Sequence, residues 1–425
     1  MSRIAIIGAG AAGLESLRVL RDHGHEVTVF ESRAEPGGHW NSDYEALHLI
    51  SSANISGFEA WPMPDDYPLF PSRQQMVDYL HGFARHFDLL RDIRFNTPVR
   101  LVQPVDGGRR GWEVSTASGT ERFDAVVVAN GHLSSPVVPE IAERFTGHQL
   151  HTADYHNVDD LSGQRVLVVG AGNSGCDVAV DAAQSRRFDD VTISIRHGHR
   201  FIPKTLFGRP RREIAILRYT GPWLSQLITR GLMRVSKGTN ARYPGLPEPV
   251  DPDLRHQLPI ANDLLLYWIH HGRIRPTSGI TDIEGTQVSF ADGTSRSFDT
   301  VVWATGYRAT FPFLADEYVP READIPVKYA GCTLLASPLT NLFVIGLTAP
   351  RGPQFPVYTR QIELVVRLLA LQQRIDHPIV EDFAQSESPN VRIDIIRADW
   401  NTEMERAERL TTRLEERLAP AGVVE

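Results

Sequence analysis

The sequence predicts an α/β fold with two Rossmann-like dinucleotide-binding domains, and three observations carry that prediction. A short apolar run followed by G-x-G-x-x-G occurs twice. Ile4-Ala5-Ile6-Ile7 precedes Gly8-Ala9-Gly10-Ala11-Ala12-Gly13, and Val166-Leu167-Val168-Val169 precedes Gly170-Ala171-Gly172-Asn173-Ser174-Gly175. Each copy leads into a helical pattern and then a second strand, Val27 to Phe30 and Val191 to Ile195; this is the β-α-β context the motif requires. A further echo pairs Phe123-Asp124-Ala125-Val126-Val127-Val128-Ala129-Asn130-Gly131 with Phe298-Asp299-Thr300-Val301-Val302-Trp303-Ala304-Thr305-Gly306. Both segments read as buried strands ending in glycine.

The elements follow in order. The first strand starts close to Met1, so no secretory leader is expected. Leu14, Leu17 and Leu20 give its helix an apolar face, and Gly24 is a helix stop. In each motif the first glycine allows the tight turn, the second lets a pyrophosphate reach the backbone, and the third lets helix and strand pack closely. Asn173 and Ser174 add polar groups beside the second pyrophosphate position. Glu31 closes the second strand of the first unit, 18 positions after Gly13. A carboxylate there accepts from ribose hydroxyls and repels a 2′-phosphate. Arg196 closes the corresponding strand of the second unit, 21 positions after Gly175, where a cation suits the 2′-phosphate. FAD in the first unit and NADPH in the second is the simplest assignment.

Gly8, Gly10, Ala12, Gly13, Glu31, Gly38, Trp40 and Gly346 are the expected FAD contacts. Gly170, Gly172, Asn173, Ser174, Gly175, Arg196, Tyr155 and Lys204 are the expected NADPH contacts. Ser72 with Gln75 reads as a capping box. The FAD-binding domain is expected over 1–160 and 290–425, with the NADPH-binding domain inserted at 161–289. Within the insert, 205–260 reads as a variable excursion with a helical piece near Trp223 to Val235. The strand Asn341 to Gly346 and a helix from about Val357 return to the first unit. The tail from Asn401 to Leu418 alternates charges at helical spacing, Glu403 with Arg406 and Glu405 with Arg409, and reads as a solvated helix.

Composition narrows the functions. Over 425 residues the formal net charge is −8 and the pI about 6.1, which argues against a nucleic-acid binder. No apolar run approaches the ~20 residues of a spanning helix. The two cysteines, Cys176 and Cys332, are 156 positions apart; no dithiol pair is expected, and few cysteines fit a cytoplasmic protein. No metal site is expected, because the histidines lack carboxylate or cysteine partners at ligand spacing.

Phe145-Thr146-Gly147-His148-Gln149-Leu150-His151-Thr152-Ala153-Asp154-Tyr155 matches F-x-G-x-x-x-H-x-x-x-Y. This resembles the identifying motif of the flavin-containing monooxygenases, a class B single-component flavoprotein family. Gly37-Gly38-His39-Trp40, Trp61-Pro62-Met63-Pro64 and Ala304-Thr305-Gly306-Tyr307 agree with it. The resemblance implies the glutathione-reductase-like arrangement of two nucleotide domains, with Phe145, Gly147, His151, Thr305 and Gly306 at the hinge. It also implies that NADPH reduces FAD, that O2 forms a C4a-(hydro)peroxyflavin, and that a small organic substrate is oxygenated at an amine nitrogen, a sulfide sulfur or a carbonyl. A homodimer is compatible with it. The family often carries an Asn near the flavin; without gaps that Asn falls on Ile50, and Asn54 is the nearby candidate for a catalytic amide. The motif's Tyr155 disfavours the Baeyer–Villiger type, whose motif ends in Trp. An NADPH–flavin reductase serving a partner, or a non-catalytic nucleotide-binding redox sensor, are the alternatives.

Overall fold

The computed structural model describes residues 1–214, 231, 238–249 and 258–419. In chain order the first unit contributes β1 (Arg3–Ile7), α1 (Ala11–Asp22), β2 (Glu26–Phe30), α2 (Arg73–His86), β3 (Ile93–Arg94) and β4 (Ala125–Val128). The chain crosses to a second unit with β5 (His148–His151), β6 (Arg165–Val169), α3 (Asn173–Ser185), β7 (Asp190–Ser194), α4 (Leu264–His270), β8 (Arg275–Thr277) and β9 (Thr300–Trp303). It returns with β10 (Leu342–Val344), α5 (Phe355–Gln372) and α6 (Arg397–Leu418).

Two five-stranded sheets result, in the orders β10-β4-β1-β2-β3 and β8-β7-β6-β9-β5. Every pairing in them is parallel. Parallel strands covered on both faces need continuous apolar runs, and β4 and β9 are buried at every position. Leu14, Leu17 and Leu20 are fully buried on α1, each worth ~1.5–3 kcal/mol relative to exposure. Gly24, at φ 80°, ends that helix as expected. Ser72 caps α2 with Gln75 in a reciprocal capping box.

The echo has a structural counterpart. In each unit a three-stranded antiparallel meander, residues 101–123 and 280–297, precedes the echoed strand. That strand then pairs with the glycine-motif strand: β4 with β1, and β9 with β6. So β9 and β5 belong to the second sheet, although 300–303 and 148–151 lie outside the 161–289 insert expected from sequence. The reason is that each β-α-β unit needs its own neighbour on the other side of the glycine strand, and the echo supplies it. Residues 135–136 and 307–308, in the two stretches where the chain changes units, pair as an antiparallel ribbon.

The tail also departs from expectation. α6 starts at Arg397 and is not wholly solvated: Trp400, Met404, Ala407, Thr411 and Leu414 are buried. It is pinned to α5 by Arg360–Glu408 and Arg367–Glu415, both at 2.6 Å. Glu405 pairs with Arg409 at 3.7 Å, whereas the Glu403 carboxylate accepts from Asn390. The helix expected near Trp223 to Val235 lies outside the described residues, Gly231 excepted. Among the described residues, no helix is long and apolar enough to cross a membrane.

Candidate functional site

The outer glycines of both motifs are required by the chain itself. Gly8 and Gly170 hold φ of 104° and 107°, a region that favours glycine. A Cβ on them would stand 2.7 Å from the Ala129 carbonyl oxygen and 2.4 Å from that of Ala304. Those carbonyls directly follow β4 and β9. A Cβ on Gly13 or Gly175 would lie 1.9 or 2.0 Å from the carbonyl oxygen of Gly8 or Gly170. The third glycine therefore lets the helix sit on its own strand.

The middle glycines are different. A Cβ on Gly172 would meet nothing within 4 Å, and one on Gly10 only the Gly38 backbone, at 3.5 and 3.9 Å. Both are helix N-caps without a side-chain cap, so first-turn N–H groups and a positive dipole end face the space beside them. Next to Gly172, Asn173 Oδ1 is buried without a hydrogen-bond partner. A bare loop and open amides fit the pyrophosphate of a dinucleotide, whose oxygens accept from them, whereas the Asn173 Oδ1 acceptor calls for a hydroxyl donor such as a ribose carries.

Glu31 follows β2 directly and is buried; its carboxylate accepts from the Ala9 N–H at 2.7 Å and the Arg33 N–H at 2.8 Å. The Gly8 N–H donates to the Phe30 carbonyl, and the Gly170 N–H to that of Ser194. By this register Ile195 occupies the place of Glu31, and Arg196 stands one residue further on. The second unit thus has an apolar residue at the acid position and an exposed cation beside it.

Gly38 and Trp40 lie in a 3-10 turn, Gly38–Asn41, held over the first loop by the Gly37 N–H on the Ala9 carbonyl at 2.9 Å. Trp40 is buried, with its ring 4.9 Å from that of His39. Gly346, at φ 75°, follows β10 and lies against Ala12 and Tyr358. Asn54 is exposed, and its Nδ2 reaches Glu213 at 3.4 Å. Ser52 also donates to Glu213. Ile50 is 49% exposed, an apolar side chain left without cover.

Of the motif residues, His151, Thr305 and Gly306 lie at the crossing, whereas Phe145 and Gly147 pack at the other end of β5, against Gly285 and Asp299. Gly147 is forced by packing, since its Cβ would stand 2.7 Å from the Phe145 ring and 2.9 Å from the Asp299 carbonyl oxygen. His151 ends β5 and accepts from the Ala153 N–H at 3.0 Å. Its ring meets Tyr307 edge-on at 5.0 Å. The ring faces the Gly306 backbone, though Nε2 closes no hydrogen bond of normal geometry, and burial holds its pKa below the ordinary histidine value. Thr305 donates to the Val137 carbonyl, and the Val137 N–H donates to that of Gly306 at 3.0 Å.

Two expected NADPH contacts, Tyr155 and Lys204, face carboxylates of the second unit. Tyr155 is fully buried, and its hydroxyl donates to Asp181 at 2.6 Å, two turns into α3 and past the glycine loop. Burial and Asp181 push the phenol pKa up. Its aromatic bulk fills the core of the second unit. Lys204 is half-buried with Nζ 5.6 Å from the Phe70 ring centre. Burial lowers its pKa while the Asp177 and Asp263 carboxylates hold it up.

Sequence reasoning missed the residues that receive these side chains. Tyr44 donates to Asp177 at 2.9 Å, and the Asn262 amide donates to the other oxygen of Asp177 at 2.7 Å. Burial raises the Asp177 carboxyl to about 6. The available signal was a pair of carboxylates, Asp177 and Asp181, four apart on a helix otherwise lined by small apolar residues.

A family model described as Flavin-binding monooxygenase-like matches residues 1–390. Flavin-containing monooxygenase 2 of Homo sapiens is 32% identical over 394 residues, covering 86% of this chain and 73% of the relative. Flavin-containing monooxygenase 1 of Rattus norvegicus is 32% identical over 395 residues, covering 87% and 74%. Among solved structures, the flavin-containing monooxygenase from Stenotrophomonas maltophilia shares the fold with a TM-score of 0.67, at 22% identity, over 87% of this chain and 98% of that one. Cyclohexanone monooxygenase from Rhodococcus sp. Phi1 bound to NADP+ does so with a TM-score of 0.72, at 17% identity, over 98% of each. With two dinucleotide cradles of the right stereochemistry and relatives of this kind, the chain belongs to the flavin-containing monooxygenase family and is an FAD- and NADPH-dependent oxidoreductase that oxygenates nitrogen, sulfur or carbonyl centres of small molecules with O2.

Proposed function

We propose that the Gly8–Gly13 loop holds FAD, that the Gly170–Gly175 loop holds NADPH, and that the oxygenated centre is an amine nitrogen or a sulfide sulfur. The observation that carries the cofactor order is the residue after the second strand. It is the carboxylate Glu31 in one unit and Ile195 followed by Arg196 in the other. Glu31 suits bare ribose hydroxyls, and Arg196 suits a 2′-phosphate, which no carboxylate repels at Ile195. When bound, NADPH supplies the reducing hydride and FAD the ring at which O2 is activated.

The chain's own residues bind, orient and exclude water. Gly10, Ala12 and the α1 amides hold one pyrophosphate; Gly172, Asn173, Ser174 and the α3 amides hold the other. Gly38 and Trp40 border the flavin side of the first loop, and Gly346 brings the turn before α5 toward it. His151, Thr305 and Gly306 act as the hinge, because they meet the ribbon that joins the units, and Phe145 and Gly147 anchor the start of β5, the strand that leads into it. Asn54 would be the amide nearest the reacting centre, in place of the Asn that Ile50 replaces.

Removing Arg196 tests the cofactor order. A charge-assisted hydrogen bond is worth about 1.5–3 kcal/mol, so Arg196→Ala should lower kcat/KM for NADPH roughly 10- to 100-fold. The value for NADH should change less than threefold. Steady-state oxidation of both nucleotides measures it, and an equal fall in both refutes the 2′-phosphate role.

The preference for nitrogen or sulfur is supported by the relatives called dimethylaniline monooxygenase [N-oxide-forming], at 31–32% identity, against 17% for the cyclohexanone enzyme. Dimethylaniline, a methyl sulfide and cyclohexanone should be offered separately with NADPH under 18O2. One labelled oxygen atom is expected in an N-oxide or sulfoxide. Label found only in a lactone overturns the preference, and NADPH oxidation without label in any product overturns the oxygenation.

A further inference from the structure

Tyr44 lies three residues past the Gly38–Asn41 turn, in the first unit's loop, yet it is buried against the second unit. Its hydroxyl donates to Asp177 at 2.9 Å and also faces Ser174, inside the second glycine motif. Asp177 is the fifth residue of α3, whose first turn forms the second cradle. Its other oxygen accepts from Asn262 at 2.7 Å, and Asn262 Oδ1 in turn accepts the Leu265 N–H at the start of α4 at 2.9 Å. One turn on, Asp181 accepts from Tyr155 at 2.6 Å, and the Tyr44 and Tyr155 rings stand 6.3 Å apart. Two tyrosines, one from each side of the junction, therefore dock on two carboxylates along one face of the helix that opens at the second cradle. Asn157 reaches back to Glu45 at 3.1 Å and completes the seam.

A buried carboxylate is costly unless its lone pairs are satisfied. Here the donors are fixed in space, so the seam defines one distance between the 38–41 turn and the α3 N-terminus. We infer that Tyr44 and Asp177 are positioning residues that set the flavin-side turn against the NADPH cradle and so govern the rate of hydride transfer between the two cofactors. The inference rests on the second loop holding NADPH. Hydride transfer is steep in donor–acceptor geometry, and a displacement of about 1 Å can cost 10²-fold.

The pH sign follows from the groups facing Asp177. These are Tyr44, Asn262, Lys204 and His48, with Asp263 near Lys204 and Asp43 near Tyr44. Above about pH 6 the carboxylate is ionised and accepts from both Tyr44 and Asn262. As the pH falls through about 6 it takes up a proton and one of its two acceptor positions becomes a donor. One docking bond is then lost, and flavin reduction should slow on the acid side.

The test compares wild type, Tyr44→Phe and Asp177→Asn as full-length holoenzyme. Anaerobic stopped-flow mixing with NADPH gives the limiting reduction rate and the NADPH Kd, and amide hydrogen exchange reports on the chain itself. Tyr44→Phe should lower the reduction rate on the order of tenfold while Kd stays within about twofold. Exchange across residues 39–47 should rise several-fold, with α1 and α5 unchanged. Asp177→Asn, which keeps an oxygen acceptor for Tyr44, should lack the step near pH 6. A Tyr44→Phe reduction rate within twofold of wild type, unchanged exchange in 39–47, or an effect confined to Kd overturns the inference. If Tyr44→Phe fails to retain FAD, the Asp177→Asn profile decides, and a surviving step near pH 6 overturns it. Failure of NADPH to reduce the wild type would instead overturn the cofactor assignment, leaving the exchange result to judge the seam.

Discussion

Gly175→Ala should yield a yellow protein that NADPH reduces at least 100-fold less efficiently than wild type. The added Cβ would stand 2.0 Å from the Gly170 carbonyl oxygen and 3.0 Å from Ala304 Cβ. Neither contact is the far end of a flexible side chain, so the helix must lift off the strand. That lift moves the α3 amides away from the cradle at Gly172, where a phosphate needs them within hydrogen-bond reach. Hundredfold corresponds to about 2.7 kcal/mol, two hydrogen bonds to a charged group or fewer. The first unit is untouched, so bound flavin should remain near one per chain. Gly13→Ala is the mirror experiment, with a contact of 1.9 Å to the Gly8 carbonyl oxygen, and it should give protein with little flavin. Flavin absorbance and NADPH-dependent bleaching read both variants. Normal bleaching in Gly175→Ala would break the link between the third glycine and the nucleotide.

Trp400→Ala should destabilise the protein by ~3–5 kcal/mol, the range for removing a buried large aromatic. Trp400 is 1% exposed, and its indole N–H donates to the Gly331 carbonyl at 3.2 Å. The Arg360 and Arg397 guanidiniums each lie 5.7 Å from its ring. Loss of the ring leaves a cavity between α5 and α6 and two cations without their aromatic face, while the Gly331 carbonyl keeps only its bond from the Gln361 amide at 3.1 Å. Chemical denaturation of the flavin-loaded enzyme should show the midpoint shifted down. Flavin reduction by NADPH at low temperature should stay within twofold, because α6 touches neither glycine loop. An unshifted midpoint would mean that α6 adds nothing to the core.

Legibility in the sequence followed the range of the interactions. The glycine loops were readable because their steric demands are local: Gly13 clashes with Gly8, five residues away. The capping box of Ser72 and Gln75 was readable for the same reason. The β4/β9 echo was readable, but its consequence was not drawn: a strand that mimics β4 should pair as β4 does, and β9 does so with β6. What Tyr155 and Lys204 face was not readable, because Asp181 and Asp177 lie on α3, whose orientation no local pattern states. Arg196 was found by counting, yet the register moves the acid position to Ile195. In the tail the charges drew the reading toward solvent, while Trp400, Met404, Ala407, Thr411 and Leu414 already carried the spacing of a buried stripe.

The ribbon formed by 135–136 and 307–308 has a consequence for how such a chain can be rebuilt. Paired strands lie about 4.8 Å apart, so the segment between them leaves and rejoins its host at nearly one point. Segments with adjacent ends are the ones that tolerate transplantation. Under the cofactor order proposed above, the unit between these two cuts is a natural cassette: exchanged there for one that accepts a different nicotinamide donor, it would alter what feeds the reaction while leaving the other unit intact.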